Sequence, residues 1–260
     1  MNSVSLAPKA QTAIDILSRL QIQTGPAMLA YWVTPNTILT LSGARAYCDG
    51  VFYNKKGFAE LKVWVKEITA SIGVLKSLTD VYFAASRLDK TNGLEDYASY
   101  DMVFTQGLTY SLEQTLLLGS EKHDLVTRKL SDRRLSLAIR NLLKANPNLK
   151  HFNNVNLDHI ANGIVLGYPD KAILGSASEW EKDDPFAEPL MDADIRGSRY
   201  YFCPAPIYSY PRSLVNDPTI KAHELLWSSI LQDFYKSDFH KTLAKQPEFK
   251  KKAKALGMTG

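Results

Sequence analysis

The sequence predicts a predominantly helical α+β protein, with long amphipathic helices and a small antiparallel sheet. Apolar residues recur at three- and four-residue intervals through much of the 260-residue chain. Strand-like composition is confined to two short stretches, residues 28–53 and 199–210. At 45% hydrophobic and 22% charged, the chain is composed like an ordinary globular protein, which excludes disordered, collagen-like and coiled-coil classes.

The elements follow in order. Lys9 to Ile22 reads as a helix with Ala10, Ala13, Ile14, Leu17 and Leu20 on one side, stopped by Gly25-Pro26. Met28–Val33 and Thr37–Leu41 are short apolar runs separated by Thr34-Pro35-Asn36, a turn signal. Asp49-Gly50 between β-forming residues predicts a hairpin, because a type I′ turn needs positive φ at both central positions. Phe58, Leu61, Val65, Ile68, Ile72 and Leu75 form the clearest helical stripe. Helices are expected over Asp80–Leu88 and Ser99–Leu118, the latter striped by Tyr100, Val103, Gly107, Tyr110, Gln114 and Leu117. Ser120–Ala145 is expected to be helical, and Asn146-Pro147-Asn148 ends that unit. Val155–Leu166 reads as a helix closed by Gly167, with Pro169 in the first turn of the next. Tyr200–Cys203 reads as a strand interrupted by Pro204 and Pro206. Asp217 caps a last major helix with Pro218 at its first position and Ile220, His223, Trp227, Ile230 and Phe234 as its stripe. A division into 1–148 and 149–260 is expected at Pro147, one continuous domain being the alternative.

Two Cys exclude a disulfide framework and a four-thiolate zinc site. Met1–Leu20 lacks the layout of a secretory signal, and no apolar run approaches the ~20 residues that span a bilayer, so a cytoplasmic protein without membrane contact is expected. Phosphate-loop, GxGxxG, GxSxG, HExxH and CxxC patterns are all missing, which removes the families they mark. No metal site and no particular cofactor is indicated.

Charge is uneven although the net is only +4. Glu121–Lys150 and Lys241–Gly260 each carry a local excess of five positive charges, and Ser178–Arg196 an excess of five negative ones. On a helical wheel Lys129, Arg133, Arg140 and Lys144 fall within about 60° of one another, suited to tracking phosphates or simply to facing water. The terminal Lys250-Lys251-Lys252 run reads as a frayed, solvated tail.

The most unusual composition is Arg199–Arg212, with four Tyr and one Phe stiffened by Pro204, Pro206 and Pro211. Tyrosine has a flat apolar face and a hydrogen-bonding tip, which suits a ligand wall, a base-stacking platform or plain packing. Two functional expectations follow. The first is an enzyme on a small anionic or carbonyl-containing substrate in the C-terminal half. Tyr168, Asp170, Tyr200, Tyr201 and Tyr208 would orient the ligand, Arg196 or Arg199 would hold its charge, and His223 would move protons, with Cys203 a candidate nucleophile. The second is a nucleic-acid or acidic-partner binding protein using Lys129, Arg133, Arg140, Lys144, the Lys-rich terminus and the stacked tyrosines. Against the first stands the ordinary reading of His223, a core or boundary histidine with one satisfied hydrogen bond. The oligomeric state has no mark in the sequence.

Overall fold

A computed structural model describes residues 7–45, 47–54, 58–78, 81–90, 98–106, 140–142, 144, 160, 163–164, 166–179, 189–195 and 208–256. Helices dominate these residues, with small antiparallel sheets. The chain divides into two units. Unit 1 comprises Met1–Gly107, Arg196–Pro206 and Trp227–Gly260; unit 2 comprises Leu108–Ile195 and Ile207–Leu226.

Unit 1 opens with α1 (Ala7–Thr24), whose buried face is Ala10, Ala13, Ile16, Leu17 and Leu20. Gly25, at φ 83°, turns the chain into a 3-10 segment, Pro26–Tyr31. The apolar runs 28–33 and 37–41 are therefore not strands. Thr34 accepts a hydrogen bond from the Thr37 amide at 3.2 Å, and Pro35 takes the first position of α2 (Pro35–Leu41). Thr34-Pro35-Asn36 starts a helix instead of making a turn, because a Thr cap with Pro behind it satisfies one amide and dispenses with another. Residues 29–42 are all buried, and a segment buried on every side shows no helical period in its sequence.

The sheet of unit 1 follows the sequence only in its first strand, which overlaps the end of the strand-like stretch 28–53; its partners come from segments expected to be helical. Strands β1 (Tyr47–Asn54), β2 (Val81–Lys90) and β3 (Ala98–Gln106) are antiparallel in the order β1-β3-β2. Asp49-Gly50 is not a hairpin turn: it sits inside β1, opposite Val103 and Met102. The segments expected as helices over Asp80–Leu88 and from Ser99 are β2 and β3 as far as they are described. Val81-Tyr82-Phe83 and Val103-Phe104-Thr105 are β-branched and aromatic, and pairing between distant strands outweighs a spacing that fits a helix by accident. Between β1 and β2 runs α3 (Phe58–Leu78), with Trp64, Ile68, Ile72 and Leu75 buried. The indole of Trp32 donates to Ser71 Oγ at 2.9 Å. The buried Arg45 guanidinium donates to Asn36 Oδ1 and lies 5.9 Å from the Trp227 ring centre.

In unit 2 the helical residues Ile160, Gly163, Ile164 and Leu166 are followed by Gly167, at φ 74°. Tyr168 N donates to Gly163 O at 3.0 Å and Gly167 N to Ile164 O at 3.1 Å, the paired bonds of a Schellman stop. Pro169 follows, and its carbonyl accepts the first bond of α4 (Asp170–Glu179). Strands β4 (Leu190–Asp192) and β5 (Ser209–Pro211) pair antiparallel, with Met191 opposite Tyr210. Gly175 is where α4 meets β5: a Cβ there would lie 2.4 Å from Pro211 Cδ, so only glycine permits the approach. Of the expected strand over 199–210, Ser209 and Tyr210 are paired, and residues 199–207 lie outside the described residues. So do Ser120–Ile139 and the Pro147 boundary.

The helix α5 (Pro218–Lys236) gives its first nine residues to unit 2 and the remainder to unit 1. Asp217 caps it as its sequence predicts, accepting from Thr219 N at 2.8 Å and Ile220 N at 3.3 Å. The Lys171 ammonium bonds the same carboxylate and holds its pKa below the ordinary value. Helices α6 (Asp238–Leu243) and α7 (Pro247–Ala255) complete unit 1, with α7 packed against the 3-10 segment. No described helix is long and apolar enough to cross a membrane.

Candidate functional site

The first candidate is a ring cluster within unit 2. Its parts come from the turn after Gly167, the end of the Tyr-rich segment and α5. The Tyr168 and Tyr208 ring centres are 5.2 Å apart. The His223 ring meets Tyr208 edge-on at 5.3 Å, and Tyr210 lies 6.1 Å from Tyr208. His223 Nε2 is 3.0 Å from the Gly167 carbonyl oxygen. A carbonyl only accepts, so this nitrogen carries the proton and donates. Burial lowers the His223 pKa, and the Gly167 bond and the Glu224 charge act in the opposite direction. The imidazole is thus neutral near pH 7 and fastens α5 to the glycine that stops the preceding helix.

Behind the rings stands Glu224, 5% exposed. Its Oε1 accepts from the Tyr210 hydroxyl at 2.9 Å and from the Asp194 amide at 3.1 Å. Its Oε2 accepts from Lys221 Nζ at 2.9 Å. A buried carboxylate is tolerated when donors surround it, and here both oxygens have them. Burial pushes the Tyr210 phenol up to about 12, with help from its bond to Glu224. Burial raises Tyr208 as well, again with the Glu224 charge second. Both phenols therefore stay protonated near neutral pH and offer no phenolate.

The remaining predicted residues divide clearly. Tyr168, Tyr208 and His223 come together, and Tyr168 and His223 are half-buried while Tyr208 is 3% exposed. Asp170 is exposed in the first turn of α4, where its carboxylate already supplies the negative charge favoured at a helix start. Arg140 and Lys144 are exposed on helical residues. Lys129, Arg133, Arg196, Arg199, Tyr200, Tyr201 and Cys203 lie outside the described residues. Glu224 escaped the sequence reading as a centre of this cluster. Its only signal was adjacency to His223, and a carboxylate's burial is not written in its neighbours. Among the described residues no group of three or more His, Cys, Asp or Glu could hold a metal ion.

The second candidate is in unit 1. The Lys250-Lys251-Lys252 run is not a frayed tail: it lies in α7, with Pro247 in its first turn. At about 100° per residue, Phe249, Lys252 and Leu256 share one side of this segment. Phe249 is 6% and Leu256 3% exposed, so this is the packed side. Lys252 belongs to it. Its ammonium bonds Glu67 Oε2 and lies 4.9 Å from the Tyr31 ring centre, and the Tyr31 hydroxyl donates to the same Glu67 oxygen. Lys250, Lys251 and Lys254 lie on the opposite side within about 100° of one another, all exposed. Lys241 and Lys245, just before α7, are exposed too. Lys241 has a loose partner in Asp238 at 3.7 Å. Phe249 and Leu256, seven residues apart behind Pro247, were the available sign that this lysine run is a docked helix.

No family model, no curated protein and no solved structure matches the chain.

Proposed function

We propose that the protein is a binding protein for an extended polyanion, which docks on the lysine face of α7. One observation carries this reading: of the four lysines in α7, Lys252 alone is engaged among the described residues, and three point together into water from a helix anchored by Phe249 and Leu256. Concentrated like charge on a rigid surface raises the local potential and attracts an opposite polymer. Exposed Lys245 adds to the same field, whereas Lys241 is partly balanced by Asp238.

Retention of the full chain on immobilised heparin at about 50 mM salt tests the reading, since such contacts strengthen at low salt. Retention is expected, and its loss in a variant carrying Lys250→Gln, Lys251→Gln and Lys254→Gln. Lys66→Gln, an exposed charge on α3, should elute like the parent chain. Flow-through of the parent chain overturns the reading.

A second reading has its own support in the contact of Tyr168, Tyr208 and His223. It keeps a small anionic or carbonyl-containing ligand at the half-buried edge of that cluster, with Tyr168 and His223 as the groups that touch it. His223 would act there through a ring held by Gly167. A rise in melting temperature with a nucleotide or sugar phosphate, abolished by Tyr168→Ala, is its expected result; a screen of both classes without a shift sets it aside.

A further inference from the structure

We infer that the partner of the lysine face is the phosphate backbone of a nucleic acid, bound without reading its sequence. The inference rests on the polyanion reading and narrows it to one class of macromolecule. Three features of α7 and its surroundings separate this partner from an anionic membrane and from an acidic protein.

The first is the place of the apolar side chains. A helix that binds a lipid surface keeps Trp, Phe or Leu free to enter the acyl boundary. In α7 the apolar anchors Phe249 and Leu256 are already buried within unit 1. The exposed large hydrophobic residues described in the chain are Ile22, Val63, Leu190 and Leu225, none of them in α6 or α7. Among the described residues nothing on the lysine face can insert, and none offers the buried aromatic or aliphatic centre on which a protein interface depends.

The second is the choice of cation. Each cation exposed along α6 and α7 is a lysine, a point charge on a flexible stem. Arginine forks and free Asn or Gln amides read base edges through paired hydrogen bonds. Residues 238–256 contain no Arg and no Asn, and their one glutamine, Gln246, accepts from Gln21 at 3.2 Å. The face neutralises phosphates, which position a partner without reading it, and it lacks the Arg and Asn forks that make paired contacts to base edges.

The third is spacing. Lys250 and Lys254 are one helical turn apart, about 6 Å of rise, close to two base-pair steps of about 3.4 Å along a duplex axis. Lys251 stands beside them. Three phosphate contacts give a log–log salt slope of about −3, or roughly a 40-fold loss of affinity between about 50 and 200 mM salt.

The experiment measures binding of the full chain to two 20-base-pair duplexes of unrelated sequence. Vesicles containing phosphatidylserine and an acidic peptide of matched charge serve as the alternative partners, and immobilised heparin runs in parallel. The expected result is similar affinity for both duplexes, a slope near −3, and a slope reduced by about three in the triple Lys→Gln variant. Binding to vesicles or peptide should be much weaker at the same salt. Vesicles or peptide bound as tightly as the duplexes overturn the inference, and so does a strong preference between the two sequences. Retention on heparin without binding to either duplex also overturns it and leaves the polyanion reading standing. Failure on heparin itself removes both.

Discussion

The ring cluster of unit 2 and the lysine face of unit 1 handle polar groups in opposite ways. In the cluster, Glu224 has donors on both oxygens and His223 donates to a helix-stopping carbonyl. Polar groups taken out of water must find partners inside the protein, and here they bind the fold together. On α7, Lys250, Lys251 and Lys254 remain in water with no ion pair among the described residues. A dense aromatic and titratable constellation thus serves architecture, while the lysine run leaves three of its charges in water.

The largest expected effect probes the cluster. Glu224→Leu leaves the Tyr210 hydroxyl and the Asp194 amide without their acceptor, at a cost of about 3 kcal/mol in unfolding free energy by urea titration. The variant that folds should still be retained on heparin. A loss below about 0.5 kcal/mol would break the contrast, because it would mean that the carboxylate is not structural.

A smaller effect is expected from pH. Burial holds the folded pKa values of His223 and His240 below the ordinary 6.5. As pH falls through 6.5 the unfolded chain takes up protons first, so these groups weaken the fold on the way down to their folded pKa values. Their stabilising contribution is complete above that window. Unfolding midpoints at about pH 7.5 and about pH 5 should differ less in His223→Gln than in the parent chain. An unchanged difference would show that His223 is not held neutral by its surroundings.

The smallest effect sharpens the comparison from the other side. The triple Lys→Gln variant of α7 should unfold within about 0.5 kcal/mol of the parent while losing retention on heparin. A large loss of stability would place these lysines in the fold's own interactions and remove the distinction.

Legibility in the sequence followed the locality of the cause. The Asp217-Pro218 start of α5 and the Gly167 stop were readable because caps act within a few residues. The stripe of α3 was readable at Ile68, Ile72 and Leu75, because one face is buried and the period survives. The run 29–41 misled because it is buried throughout. The sheet misled more deeply: β3 pairs with both β1 and β2, and nothing local in 98–106 announces two distant partners. In the candidate sites, the meeting of Tyr168, Tyr208 and His223 was a reasoned expectation about composition, and the Glu224 network that backs it was not foreseen. Lys252 could not be told from Lys250, Lys251 and Lys254 without knowing which side Phe249 and Leu256 bury.

By itself the sequence determined what short-range physics controls: helix starts and stops, the periodic faces, and the concentration of lysine near the C-terminus. The tertiary structure decided which strands pair, which carboxylate is enclosed with its donors, and which of four neighbouring lysines the fold engages. Those outcomes depend on contacts between residues far apart in the chain, where pairing and desolvation set the free energy and adjacent residues carry no record of it.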